Sequence, residues 1–209
     1  MNARELLSLS PIVPVMVVHD LDTIVEASQA MFDGGIRAFE VTLRTPVALE
    51  AIRLLNDALP KEAVVGAGTI TNVNELEQAM AAGARFGVSP GLTESLAKAI
   101  QEADLPFLPG VSTASELMQA SDWGFDTLKL FPAEAVGGVT LLKALSGPFA
   151  HIRFCPTGGI SPNNAAHYLS LPNVLAVGGS WLMPQDLIET HNWKEITELA
   201  RKACALKAE

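Results

Sequence analysis

The sequence predicts an α/β protein, a (β/α)8 TIM barrel in a single domain over residues 1–209, with an extra N-terminal helix over residues 1–10. Three observations predict it. The 209-residue length fits one α/β domain of the barrel size class. Short β-rich runs alternate with longer helical patterns about eight times, and that alternation implies right-handed crossovers and a parallel sheet that closes on itself. No GxGxxG turn follows the first strand, as an open dinucleotide-binding sheet would carry, and no linker, charge block or low-complexity stretch marks a second domain.

The elements follow in order. "IVPVMVV" (12–18) is β-branched and apolar, and a helical pattern runs after it from Leu21 to Phe32. "AFEVTLR" (38–44) precedes a helix over Pro46–Ala58, "AVVGAGT" (63–69) one over Val73–Ala82, and "RFGVS" (85–89) one over Leu92–Ala103. "LPFLPG" (105–110) leads to Ala114–Trp123, "TLKLF" (127–131) to Val139–Leu145, and "HIRFCPT" (151–157) to Asn163–Leu169. "NVLAVGG" (173–179) leads to a short helix near Pro184–Leu187 and a last one over Trp193–Leu206. Asn72 with Glu75 reads as a capping box, Thr93 or Ser112 as caps, and the glycines of "DGGIR" and "AAGAR" as helix closers.

Composition narrows the function classes. With 49% hydrophobic and 18% charged residues the chain has a packed core rather than a disordered composition. A formal net charge of -9 repels polyphosphate backbones and anionic bilayers, so neither nucleic acid nor a membrane is an expected partner. A small anion needs only a local cluster of N–H groups and can still bind. Cys155 and Cys204 lack CxxC neighbours and are expected as reduced thiols. "MNARELLSLS" has no apolar signal core and no run approaches about 18 apolar residues, so a cytoplasmic protein is expected. His19, His151, His167 and His191 are scattered without HxH or HExxH spacing, which predicts surface histidines, no metal and no cofactor. Trp123, Trp181 and Trp193 read as packing anchors, because no basic stripe accompanies them.

Alternate residues of a strand point to opposite faces, which in a barrel are the helical layer and the interior. Phe39, Val41 and Leu43 suit the helical layer, leaving Glu40, Thr42 and Arg44 inside. The same parity turns Thr127, Lys129 and Phe131 inward, and likewise Arg153, Cys155 and Thr157. An internal salt-bridge network of Glu40, Lys129, Arg44 and Arg153 that only fills the barrel is one reading, but charges out of water cost several kcal/mol each. The other reading makes Lys129 an amine nucleophile for a carbonyl substrate. A free lysine amine is neutral about one time in ~2,500 at pH 7. Burial with Arg44 or Arg153 close by disfavours the ammonium, while Glu40 favours it and is expected near but not tightly paired. Glu40 is then the proton shuttle of Schiff-base chemistry, and Arg44 a two-point clamp for a carboxylate.

Barrels frequently bind phosphate with the loops after the last two strands. "PTGGIS" and "VGGSW" fall there, so Gly158, Gly159, Gly178, Gly179 and the Ser180 hydroxyl are the expected phosphate ligands.

"FEVTLRT", "GAGT", "SPGLT", "KLFPAE", "RFCPTGGIS" and "GGSWL", in register from about Pro11 to Leu182, together resemble the bacterial 2-keto-3-deoxy-6-phosphogluconate (KDPG) aldolase family, which includes 4-hydroxy-2-oxoglutarate (KHG) aldolase activity. The resemblance implies that Lys129 forms an imine with the pyruvate portion, that Glu40 is the general acid/base, and that Arg44 and Thr69 hold the pyruvoyl carboxylate. Thr157 would lie beside the aldehyde portion, and Pro90, Phe131 and Leu92 would wall the pyruvate pocket. It also implies a metal-free class I cleavage of a 2-keto-3-deoxy sugar acid phosphate to pyruvate and glyceraldehyde 3-phosphate, in the Entner–Doudoroff pathway, by a homotrimer. A noncatalytic phospho-sugar-acid binding barrel and a metal-dependent enolate-forming aldolase are the competing readings.

Overall fold

In the computed structural model, which describes residues 1–207, every strand pairs in parallel with its neighbours. The chain runs α1 (Ala3–Leu7), β1 (Ile12–Met16), α2 (Ile24–Asp33), β2 (Ala38–Thr42), α3 (Ala48–Ala58), β3 (Val64–Gly68), α4 (Val73–Ala81), β4 (Gly87–Val88) and α5 (Glu94–Ala103). It continues through β5 (Phe107–Leu108), β6 (Gly110–Val111), α6 (Ala114–Asp122), β7 (Thr127–Leu130), α7 (Gly138–Ser146), β8 (Arg153–Pro156), α8 (Ala165–Leu169), β9 (Val177–Gly179), α9 (Gln185–Glu189) and α10 (Trp193–Cys204). No helix among the described residues is long and apolar enough to cross a membrane.

The strands order as β5-β4-β3-β2-β1-β9 and β6-β7-β8. β5 and β6 are two halves of one barrel strand, parted at Pro109, whose nitrogen has no hydrogen to give a ladder. The first half pairs with β4 and the second with β7, so the break passes the strand from one neighbour to the other. A bridge between Thr157 and Gly178 joins the β8 edge to β9. Counting the split strand once gives the expected eight positions of a closed TIM barrel.

Helix ends follow their capping chemistry with two departures. The Asn72 side chain accepts from the Glu75 N–H at 3.0 Å, but the Glu75 carboxylate takes the Thr71 N–H and hydroxyl instead of closing a box on Asn72. Thr93 caps α5 as expected, whereas the cap of α6 is Thr113 rather than Ser112, with Glu116 completing a full box. Glycine closes α2 and α4 through left-handed residues, Gly35 at φ 110° and Gly83 at φ 90°.

Two apolar cores result from strand parity. Outward residues such as Phe39, Val41, Val65 and Phe154 pack under the helices, joined by half-buried Trp181 and Trp193. Inward residues Val13, Ala38, Val64, Phe86, Leu108 and Cys155 form a second core inside the cylinder, and Leu6 and Leu7 of α1 pack into it. α1 is tied across the N-terminal end of the barrel, where Arg4 bonds the His151 carbonyl at 2.6 Å and the Asp126 carboxylate at 2.9 Å. The bottom is thereby plugged, and the open end is the C-terminal one. All four histidines are exposed, Cys155 is buried and Cys204 is half-buried.

Leu6 is wholly buried in that plug. Leu6→Ala is expected to lower the unfolding free energy by about 2–5 kcal/mol in urea titrations, whereas a loss below ~1 kcal/mol would mean the plug contributes little.

Candidate active site

Above the apolar plug, the C-terminal half of the barrel encloses a cavity of about 290 Å³. That is near the low end of ligand pockets, roughly 300–1,000 Å³, and suits a small acid. Its side chains come from the strand ends where barrel active sites form: Glu40 and Thr42 on β2, Lys129 on β7, and Arg44, Thr69, Pro90, Phe131 and Thr157 just beyond their strands. Seven of the eight residues expected to form the catalytic and substrate-binding group therefore meet in one space. Leu92 does not join them; it packs into the outer core.

The Lys129 ammonium nitrogen and Glu40 Oε1 stand 3.4 Å apart, with the side chains 8% and 3% exposed. At an effective dielectric of ~20 an ion pair at that spacing gains about 5 kcal/mol, while desolvation costs several kcal/mol per ion. Neither term wins by a wide margin, and the long contact fits a pair that is close without being locked. The Phe131 ring centroid lies 5.2 Å from Lys129 Nζ, so the amine also faces an aromatic surface. Phe131 is held by its carbonyl, which accepts the Ser112 hydroxyl at 2.6 Å. That bond, rather than a helix cap, is the work of Ser112.

Arg44 is exposed at the mouth, and among the described residues no carboxylate pairs with it. Its guanidinium is available to an incoming anion. Thr69 has φ 62°, an unfavourable conformation for a β-branched residue, and the strain sits at the cavity edge.

Parity placed Arg153 and Thr127 inward with the right phase, but depth separates them from the cavity. Both begin their strands at the N-terminal rim, two residues below Cys155 and Lys129 in the same register. Arg153 bonds the Ala150 and Ile152 carbonyls at 2.8 and 2.9 Å, so it neither joins a network with Glu40 nor adds charge beside Lys129. Cys155 lies in the interior apolar core.

The glycines behave less uniformly than the sequence suggests. Gly158 (φ 100°) and Gly159 (φ 79°) form a tight loop after β8. Gly178 leaves room for Thr157, since a Cβ there would stand 2.2 Å from Thr157 Oγ1; Gly179 leaves room for the Trp181 ring, 1.8 Å from its Cβ position. Ser180 is exposed and opens on an adjoining cavity of about 340 Å³ that shares Val15 with the first.

Sequence reasoning missed Gly68. A Cβ on it would stand 2.1 Å from Glu40 Oε1, so its bare backbone is what lets the carboxylate lie beside Lys129. The signal was present as an inward-phase glycine ending the "GAGT" strand, next to Thr42 in register.

A closed parallel barrel with a buried lysine and carboxylate at its open end, and a cation at the mouth, defines the class of lysine-bearing α/β-barrel enzymes. The KDPG and KHG aldolase family matches residues 3–199, and the chain belongs to that family. It is 52% identical over 204 residues to the 2-dehydro-3-deoxy-phosphogluconate aldolase of Dickeya dadantii strain 3937, covering 98% of this chain and 95% of that protein. Its fold matches a crystal structure of the Legionella pneumophila KDPG aldolase with pyruvate captured at low pH as a covalent carbinolamine intermediate. The TM-score is 0.94, with 45% identity over 98% of each chain. It also matches the Zymomonas mobilis ZM4 KDPG aldolase with 3-phosphoglycerate, with TM-score 0.92 and 43% identity over 99% of this chain and 96% of that one.

Gly68→Ala is expected to expel the Glu40 carboxylate from hydrogen-bonding distance of Lys129 in a crystal structure of the variant. An unmoved carboxylate there would show that the glycine is not what seats it.

Proposed function

We propose that the chain is a class I aldolase that cleaves KDPG to pyruvate and glyceraldehyde 3-phosphate, and 4-hydroxy-2-oxoglutarate to pyruvate and glyoxylate. The observation that carries the reading is one amine and one carboxylate, 3.4 Å apart and almost wholly buried, facing a small cavity with an unpaired arginine at its mouth. The Legionella relative holds pyruvate covalently, and the Zymomonas relative holds a phosphorylated three-carbon acid, which supports both ends of the substrate assignment.

The steps follow from the placement. The Lys129 amine adds to the C2 ketone and water leaves, giving a protonated imine. Glu40, directly or through water, takes the C4 hydroxyl proton, the C3–C4 bond breaks, and its electron pair moves into the imine to make an enamine. The aldehyde departs. A proton returns to C3, and water hydrolyses the imine to release pyruvate and restore the amine. Arg44 forks onto the pyruvoyl carboxylate with Thr69 beside it, Pro90 and Phe131 wall the methyl end, and Thr157 meets the aldehyde portion. The N–H groups of the Gly158–Gly159 loop, with Gly178, Gly179 and Ser180 on the neighbouring strand end, receive the phosphate. Family membership supports extending the reading to a cytoplasmic homotrimer in the Entner–Doudoroff pathway, with the chain forming one barrel domain and neither a metal nor a cofactor taking part.

Lys129→Met keeps the stem and removes the amine. It is expected to eliminate pyruvate release from KDPG with an unchanged far-ultraviolet circular dichroism spectrum, and a near-native rate would contradict the assignment. Glu40→Gln should depress kcat more than it raises KM, and Arg44→Ala should mainly raise KM; equal and negligible effects of both would overturn their roles. Activity that survives chelation separates this chemistry from a metal-dependent enolate route.

A further inference from the structure

"KLFPAE" continues past the cavity to Glu134, an exposed residue that none of those steps uses. Its carboxylate accepts a hydrogen bond from the Tyr168 hydroxyl. Tyr168 is its opposite: on α8, 1% exposed and among the largest fully buried side chains. A buried ring whose hydroxyl is satisfied by a charged acceptor forms a strong, directional bond. Burial first, and the bond to Glu134 second, push the Tyr168 hydroxyl well above the ordinary tyrosine range, so it remains a donor at any physiological pH.

That bond brackets the glycine loop. The Glu134 N–H donates to the Gly158 carbonyl at 3.1 Å. The Glu134 Cβ and Cγ stand 2.7 and 2.6 Å from where a Cβ on Gly159 would be, so its stem is the surface on which Gly159 rests. From the other side, Asn164 donates its side-chain amide to the Gly159 carbonyl at 3.0 Å and accepts from the Ser161 N–H at 2.8 Å. Tyr168 lies four residues after Asn164, one helical turn along. One short helix thus grips the loop directly through Asn164 and indirectly, through Tyr168, by way of the segment that leaves the lysine strand.

We propose that Tyr168 and Glu134 are positioning residues of the phosphate subsite: their bond holds the Gly158 and Gly159 N–H groups in the orientation that receives phosphate, and so sets the preference for phosphorylated over unphosphorylated hydroxy-keto acids. This rests on the functional reading above. The test compares kcat/KM on KDPG and on 4-hydroxy-2-oxoglutarate for the full chain and for Tyr168→Phe, Glu134→Ala and Glu134→Gln. Loss of one charge-assisted bond should lower the ratio of the two constants about tenfold in Tyr168→Phe and in Glu134→Ala, chiefly through a higher KM for KDPG. Glu134→Gln, whose amide oxygen still accepts from Tyr168, should recover most of the ratio lost in Glu134→Ala. Equal losses on both substrates would overturn the proposal and leave the bond a prop of the fold. If Tyr168→Phe does not fold, the two Glu134 variants, altered at an exposed position, decide it by the same comparison. A wild-type chain that releases pyruvate from neither substrate would sink the functional reading, and this proposal with it.

Discussion

The placement of one amine beside one carboxylate inside a closed cylinder is the constraint on which the rest of the molecule depends. Lys129 and Glu40 lie 89 positions apart in sequence, and only closure of the sheet brings their strands to one interior. Taking both charges out of water costs several kcal/mol each, which their attraction at 3.4 Å offsets only in part. Apolar side chains of the same volume would fill the space at lower cost. The barrel keeps the charged groups at the one end that α1 leaves open, while Leu6, Leu7 and their partners make the other end dry and rigid. Function and stability are therefore separated by depth along the same strands.

Depth is also where the sequence stopped being legible. Alternation has a period of two residues, so it sorts a strand's residues by face without saying how far along the barrel axis each one sits. Glu40, Lys129 and Thr157 share a phase with Thr127 and Arg153, yet the last two sit at the N-terminal rim and satisfy local carbonyl and carboxylate groups. The strand-helix beat was readable because apolar periodicity is strong over whole elements. The parting at Pro109 was less visible: "LPFLPG" reads as one strand, and one barrel position is what it fills, but a proline without an N–H divides its ladder between two neighbours. Caps shifted by a residue for a similar reason, since Thr113 and Ser112 offer the same hydroxyl and only the chain path decides which one meets the helix.

The glycines show the same limit from another side. Inward-facing Gly68 and Gly178 mark places where a neighbouring functional side chain occupies the space a Cβ would need. Glycine in a strand signals a close approach without naming what approaches. Gly158 and Gly159 instead have positive φ, a turn conformation that residues with a Cβ rarely adopt. Two kinds of glycine thus border the cavity and its rim: Gly68 and Gly178 make room for the Glu40 and Thr157 side chains, and left-handed Gly158 and Gly159 shape the loop to which the proposed function assigns the phosphate.

Trapping with pyruvate and borohydride, followed by peptide mass mapping of the intact chain, tests the central claim most directly. The account predicts a single reduced adduct on the peptide that carries Lys129. An adduct on a surface lysine such as Lys143, or none at saturating pyruvate, would contradict it.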